Sequence, residues 1–326
     1  MKSCAGFAVI VALLFAGACS NEKSSTFAFA TGGTGGLYYP FGGAMASIWS
    51  EQVPGINVRA EVTGGSFINV IQVARQESEF GIAMADVITD AYLGNGRFTE
   101  PLPLRVLLNA YPNIVHILTL QDSGIRSVAD LKGKRVSLGA AGSGTALAAE
   151  NILTGLGVAL DDIAPAYLSF GETTSALKDG TISAGFIAGG LGLSSVTELG
   201  VTRDLHLLAL SDNELERLSA AFPAYTRYEI PAGTYNGVTE STPTLGIWNS
   251  IVVHETMPDD LAYRLTCTIF NNRDRLLNVS SAAQATTIDN LDKVTAVPLH
   301  AGARRYLLAV RAHSGNTVGK ISDCSG

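Results

Sequence analysis

Charge is scarce in this chain. Only 16% of its 326 residues are Asp, Glu, Lys or Arg, and the acids outnumber the bases by 29 to 22. A nucleic-acid partner needs a basic face, which this balance does not supply. Cysteine is equally rare: four in all, two of them, Cys4 and Cys19, near the start. The remaining pair, Cys267 and Cys324, is too few for a disulfide-built mini-domain. The five histidines, His116, His206, His254, His300 and His313, lie far apart, show no zinc spacing and follow no serine elbow. That pattern offers nothing to a hydrolase, a deaminase or a metal carrier, and it calls for no cofactor. No apolar run reaches the roughly 20 residues of a membrane-spanning helix.

What is plentiful is core. Hydrophobic residues make up 47% of the chain, enough for two globular domains over this length. The opening MKSCAGFAVIVALLFAGACS has one basic residue, Lys2, an apolar run over residues 5–18 and small residues before Cys19. This is the layout of a secretory signal, predicted to span residues 1–18 and to precede a polar tether at 19–25. Ala16-Gly17-Ala18-Cys19 resembles a bacterial lipoprotein box, although Ala16 stands where Leu is usual, and lipidation of Cys19 would anchor the protein to a membrane. Plain cleavage after Ala18 is the alternative; both export the chain to the periplasm. Loss of Lys2 with the signal takes the formal charge from −7 to −8. In an oxidising compartment Cys267 and Cys324 can pair, or remain as two thiols.

The mature chain opens on a strand at 27–30, a glycine turn at 32–36 and a helix whose first turn holds Pro40 and whose apolar stripe is Phe41, Met45, Ile48 and Trp49. Such a turn leaves N–H groups and the positive helix end free to cradle an anion. It lacks the third glycine of a dinucleotide fingerprint, because Tyr38 stands there, and it lacks the lysine of a P-loop. Tyr38 and Tyr39 beside it favour a ligand site over a purely structural turn. A strand at 56–62, a helix capped by Ser66 and a strand at 80–83 ending in Met84-Ala85-Asp86 follow.

Two strand-like runs around Pro112 lead to a second lobe. There a capped short helix over 127–133, ended by Gly133, and a strand at 134–138 precede Gly142-Ser143-Gly144-Thr145 and another helix. Ser143 and Thr145 read as hydroxyl donors to an anion, or as caps of that helix. Strands are predicted at 167–170, 182–187 and 205–210, helices near 176–178 and 212–222, and a flexible turn at Ala188-Gly189-Gly190. A long strand ending at His254 brings the chain back to two last helices. The alternation implies an α/β fold, each lobe a mostly parallel sheet flanked by helices, with binding loops at the strands' carboxyl ends. Lobe one is predicted to comprise 26–115 and 244–326, and lobe two 116–243.

These residues carry a resemblance. GTGGLYYP with GGAMA behind it, VTGGSFINV, ADVITDAY, YPNIVHIL, DSGIRSVADLKGKRVSLGAAGSGT, DDIAPAYLSF, ALKDGTISAGFIAGG, IPAGTYNG and PLHAGARRY are together similar to the TAXI solute-binding proteins of TRAP-type (tripartite ATP-independent periplasmic) transporters. The resemblance implies a monomeric, two-lobed periplasmic binding protein of type II-like fold. Its hinged cleft would close on a small carboxylate, often glutamate-like, for delivery to a TRAP-type membrane permease; a ligand-sensing lipoprotein is the alternative. It places ligand contacts at Gly33, Thr34, Gly35, Tyr38 and Tyr39, at Ser66 and Asn69, and at Ser143, Gly144 and Thr145, with Gly189 on the third turn. This chain departs from the family at Met84, where Gln is common, and at Leu191-Gly192, where Pro-Asn is common. Asp86 reads equally as a ligand group or as the cap of its own helix.

Overall fold

The structure is a computed structural model that describes residues 24–294, 296–313 and 324. The signal segment and Cys19 lie outside them.

The chain begins as a strand–helix alternation: β1 (Ser25–Ala30), α1 (Tyr38–Gln52), β2 (Ile56–Glu61), α2 (Ser66–Ala74), β3 (Phe80–Met84) and α3 (Ala85–Leu93). The long β4 (Leu104–Leu120) leads into β5 (Arg135–Ser137), α4 (Gly144–Gly155), β6 (Ala164–Ala166), α5 (Phe170–Lys178), β7 (Ala184–Gly189), α6 (Ser194–Thr202), β8 (Leu205–Leu207) and α7 (Asp212–Ala221). Then β9 (Tyr225–Ile230) and the long β10 (Thr242–His254) bring it back to α8 (Asp259–Asn271), α9 (Arg273–Leu277) and α10 (Ala301–His313).

The strands form one sheet in the order β2-β1-β3-β10-β4-β7-β5-β6, with β8 beside β4 and β9 beside β10. Each lobe contributes a parallel trio, β2-β1-β3 in one and β7-β5-β6 in the other. The long strands β4 and β10 run antiparallel to each other and to their other partners, so the sheet as a whole is mixed. Each serves both lobes: β10 pairs β3 through residues 249–252 and β9 through 242–247. The fold is therefore two α/β lobes sharing two through-going strands.

Each lobe has its own core. In the first, Phe29, Phe41, Trp49, Phe80, Tyr111 and Tyr306 are fully enclosed, Trp49 stacking on Phe80 at 4.6 Å while its indole N–H donates to the Leu265 carbonyl. In the second, Val136, Ile152, Leu153, Phe186 and Leu218 pack together. Cys267 on α8 is joined to Cys324 by a disulfide with a Cα separation of 5.6 Å. Among the described residues no helix is long and apolar enough to cross a membrane.

Several local expectations shift. Pro112 does not split its segment: β4 runs through it unbroken, because Pro112 faces Trp248 beside a register shift, where the missing N–H costs little. Residues 167–170 are not a strand; the strand is 164–166, and Ser169 caps α5 in a capping box with Glu172. The strand expected at 182–187 starts and ends two residues later, absorbing Ala188 and Gly189. Ser66 does not cap α2, since Gly65 occupies that position at φ +109° and Ser66 is the first helical residue. The strand β9 was not foreseen.

Candidate functional site

Between the lobes lies a cavity of about 440 Å³ whose wall is built from the starts of helices. Leu37 and Tyr38 open α1, Gly65 and Ser66 open α2, Met84 precedes α3, Ser143 to Thr145 open α4, and Ser169 to Gly171 open α5. The arrangement follows from the alternation, since every helix here starts just beyond the carboxyl end of a strand. First-turn N–H groups have no acceptor within their own helix. Those of Tyr38, Ser66, Gly144, Thr145, Phe170 and Gly171 have none elsewhere among the described residues. The positive ends of several helix dipoles thus face one space.

The side chains agree with this polarity. Among the described residues the wall contains no Asp, Glu, Lys or Arg. Ser143 Oγ accepts from the Ala146 N–H at 3.1 Å, Thr145 Oγ1 from the Ala188 N–H at 3.3 Å, and Ser66 Oγ from the Met84 N–H at 3.1 Å. Each hydroxyl oxygen is therefore occupied by a backbone donor. The protons of Ser143 and Thr145 have no acceptor among the described residues and are free to donate into the cavity. Tyr38 is fixed differently: its hydroxyl donates to Asn249 Oδ1, while Asn249 Nδ2 donates to the Tyr111 carbonyl at 2.9 Å. Burial pushes the Tyr38 phenol well above its ordinary range, so it stays protonated.

The lobes meet tightly around this space. The Phe67 N–H donates to the Gly142 carbonyl at 3.1 Å. A Cβ on Gly144 would stand 2.5 Å from Met84 Sδ and 2.8 Å from Ser66 Oγ, so only glycine lets the first lobe approach the start of α4. Between the lobes, Arg97 Nη2 donates to both carboxylate oxygens of Glu150 at 2.6 Å. Beside that pair, Asp86 Oδ2 accepts from the Tyr225 hydroxyl at 2.9 Å, and Tyr225 accepts from Asn151 Nδ2 at 2.9 Å. Burial raises Asp86 to about 6, against hydrogen bonds from Val87 and Tyr225 that favour its charged form.

Of the residues singled out in the sequence, Gly33, Thr34, Gly35, Tyr38, Ser66, Met84, Ser143, Gly144, Thr145 and Gly189 line the cavity. Three do not. Tyr39 stands apart from the wall and is 37% exposed. Asn69 is consumed as a brace, its Nδ2 donating to the Thr31 and Ile82 carbonyls and its Oδ1 accepting from Thr63 Oγ1. Asp86 neither lines the cavity nor caps α3, whose cap position is Met84; it sits in the first turn and bonds across to Tyr225. Sequence reading missed Asn113, Ser169, Phe170 and Gly171 in the wall. The Ser169-x-x-Glu172 capping box was a usable signal for the last three, whereas Asn113 lies inside an apolar strand run and gives none.

A sequence profile described as the NMT1-like family matches residues 29–308. Among solved structures, the chain is similar to PhnD1 from Prochlorococcus marinus (MIT 9301) in complex with methylphosphonate. The TM-score is 0.57 at 12% identity, over 82% of this chain and 92% of that one. It is also similar to MatC from Rhodopseudomonas palustris with bound malate, at a TM-score of 0.53 and 11% identity, over 87% and 97% of the two chains. A third similarity, to the periplasmic aliphatic sulphonate binding protein SsuA from Escherichia coli, has a TM-score of 0.47 at 15% identity, over 87% and 82%.

Proposed function

The chain belongs to the NMT1-like family, and from that premise we propose that it is an extracytoplasmic solute-binding protein that captures a small carboxylate between its lobes. The single observation that carries this reading is the convergence of helix N-termini, and of hydroxyls whose protons have no acceptor, on a cavity whose described wall has no charged side chain. Such a wall offers hydrogen to a ligand and takes little, which suits an anion. The cavity is also of the size that encloses a small organic acid rather than a polymer. Methylphosphonate and malate, the ligands of the two neighbours above, are themselves small anions.

The finer parts of the reading come from the sequence. The ligand is a glutamate-like amino acid or a related organic acid. The recipient is a TRAP-type secondary permease, and the contact set is the ten wall residues singled out above. Lobe one comprises 26–115 with 244–326 and lobe two 116–243. The protein is exported as a monomer and held at a membrane through lipid on Cys19, which metabolic palmitate labelling tests directly.

A thermal-shift series tests the central claim. Small carboxylates are set against their neutral amides and against amines of the same size. A ligand bound at a hundred times its Kd stabilises by about 2.7 kcal/mol, which a melting curve resolves. Stabilisation by the acids alone is the expected result; equal shifts from amides or amines would overturn the anion reading.

A further inference from the structure

We infer that the hydroxyl of Tyr235 is a positioning group, which sets one edge of the cavity through the turn after β7 without lining the cavity itself. The inference rests on the proposed anion site and adds to it a residue outside the wall. Two stretches singled out in the sequence, YPNIVHIL and IPAGTYNG, meet here. Tyr235 lies on the loop between β9 and β10 and is 3% exposed; His116 lies on β4, fully enclosed, just beyond the residues that pair β10. Their rings meet edge to face, with centroids 5.5 Å apart.

The direction of each hydrogen bond follows from what its partner can do. His116 Nδ1 faces the Ile114 carbonyl at 2.9 Å, and a carbonyl only accepts, so Nδ1 carries the proton. Burial pushes the ring down to about 4, so it is neutral and Nε2 is bare. Nε2 therefore accepts, and the Tyr235 hydroxyl donates to it at 2.9 Å. The phenol oxygen is left as an acceptor, and the Gly192 and Leu193 N–H groups donate to it at 3.1 and 3.4 Å. Neither N–H has another acceptor among the described residues.

What this fixes is the turn that leads from the cavity edge into α6. Ala188 and Gly189, the last residues of that edge, line the cavity, and the Ala188 N–H donates to Thr145 Oγ1. Leu193 folds back over Gly189, where a Cβ would stand 2.8 Å from Leu193 Cδ1. A Cβ on Gly190 would stand 3.0 Å from Leu37 Cδ2, at the start of α1 in the other lobe. The turn is thus held on one side by Thr145 and on the other by Tyr235, at a place where the lobes touch. The Tyr235 loop is itself pinned to α6, since Asn236 Nδ2 donates to the Gly200 carbonyl at 2.7 Å. Without the Tyr235 hydroxyl the two N–H groups lose their acceptor. The turn must then be ordered at each closure, and that ordering opposes ligand binding.

Tyr235→Phe tests this, by calorimetry on the mature protein with the acid that stabilises most in the thermal-shift series, at a temperature well below the melting point of both proteins. The loss of one hydrogen bond between neutral groups is expected to weaken binding by about fivefold to tenfold. In the apo variant the amides of Gly192 and Leu193 should exchange hydrogen faster than in wild type, while those of the central strands keep their protection. A role in stability alone would lower the urea midpoint and leave affinity untouched, so a folded Tyr235→Phe protein that binds within about twofold of wild type overturns the inference and leaves the anion site standing. A wild type that binds no acid of the series overturns the site, and the inference with it. A second measurement needs no variant: nitrogen-15 spectra of histidine-labelled wild type at pH 7 should show His116 with Nδ1 protonated and Nε2 bare. A proton on Nε2 would overturn the relay even if Tyr235→Phe failed to fold.

Discussion

Replacing Ser143 by Ala and Thr145 by Val removes two cavity-wall hydroxyl protons that have no acceptor among the described residues. In the proposed site both donate to the ligand's carboxylate. A hydrogen bond to a charged group contributes roughly 1.5–3 kcal/mol, against about 0.3–1 kcal/mol for a helix dipole, so the hydroxyls outweigh the dipole of α4. Two such bonds at the lower figure amount to about 3 kcal/mol, and the double variant is expected to bind its carboxylate about a hundredfold more weakly or worse. Calorimetry with the acid that stabilises most in the thermal-shift series reads this.

The same substitutions also affect the apo fold. Ser143 Oγ caps α4 through the Ala146 N–H, a contact whose loss costs about 1 kcal/mol, and Val at 145 leaves the Ala188 N–H without its acceptor. Weaker binding could then follow from a loosened helix start. Ser143→Asp separates the two effects. Aspartate caps as well as serine and its charge suits a helix N-terminus, so urea unfolding should show stability kept, while a carboxylate facing the ligand should abolish binding. Affinity within a few-fold of wild type in the double variant, or undiminished in Ser143→Asp, would refute the assignment of these hydroxyls to the anion.

Asp86→Asn should alter how stability depends on pH. The folded protein holds the Asp86 proton up to about pH 6, against an ordinary value of 3.8, so this protonation stabilises the fold fully below pH 3.8 and is lost as pH rises through 6. Denaturation at pH 4 and pH 7.5 should therefore show the wild type losing about 3 kcal/mol relative to the variant, and parallel profiles would contradict the burial argument. Arg97→Met removes the fork onto Glu150 that bridges the lobes; because Arg97 is half exposed, ligand affinity should fall by less than about tenfold, and a change in the radius of gyration of the apo protein by solution scattering checks its role in closure. Breaking the Cys267–Cys324 link by serine replacement should lower unfolding stability by roughly 2–4 kcal/mol and leave ligand affinity unchanged, since neither residue lines the cavity.

How much of this site could be read from the sequence depends on how local each signal is. The glycine turns at 32–36 and 142–144 were legible because strand, turn and helix follow one another within about a dozen residues. Their consequence, several helix starts around one cavity, then follows from the alternation alone. Asn69 and Asp86 were misjudged for the opposite reason. Each is a polar residue at a helix start, and what satisfies it is remote: the carbonyls of Thr31 and Ile82 for one, the hydroxyl of Tyr225 for the other. Tyr225 sits on β9, the strand that was not foreseen, so its partner could not be either. Gly144 shows the same limit in reverse, because its turn was seen but the Met84 and Ser66 atoms that forbid a side chain there come from the other lobe.

The division of donors between the lobes bears on how a ligand leaves. The first lobe brings the starts of α1 and α2, with Ser66 already leaning on Tyr38 at 3.4 Å; the second brings the starts of α4 and α5 together with the unspent protons of Ser143 and Thr145. Opening the hinge splits this set unevenly. Two unspent hydroxyls in the second lobe stand against the one of Thr34 in the first, so by the magnitudes above the second lobe keeps the larger share by roughly 1.5–3 kcal/mol. In the proposed function the anion therefore rests on the start of α4 when the lobes part, and the first lobe acts as the closing jaw. The tightness of the closed state comes from adding that jaw's N–H groups, and no ion pair in the wall must be broken to take it away, although the half-exposed Arg97–Glu150 bridge between the lobes must part. A site built from neutral donors on two moving bodies holds an anion firmly when shut and weakly when open, which is what delivery to a second protein requires.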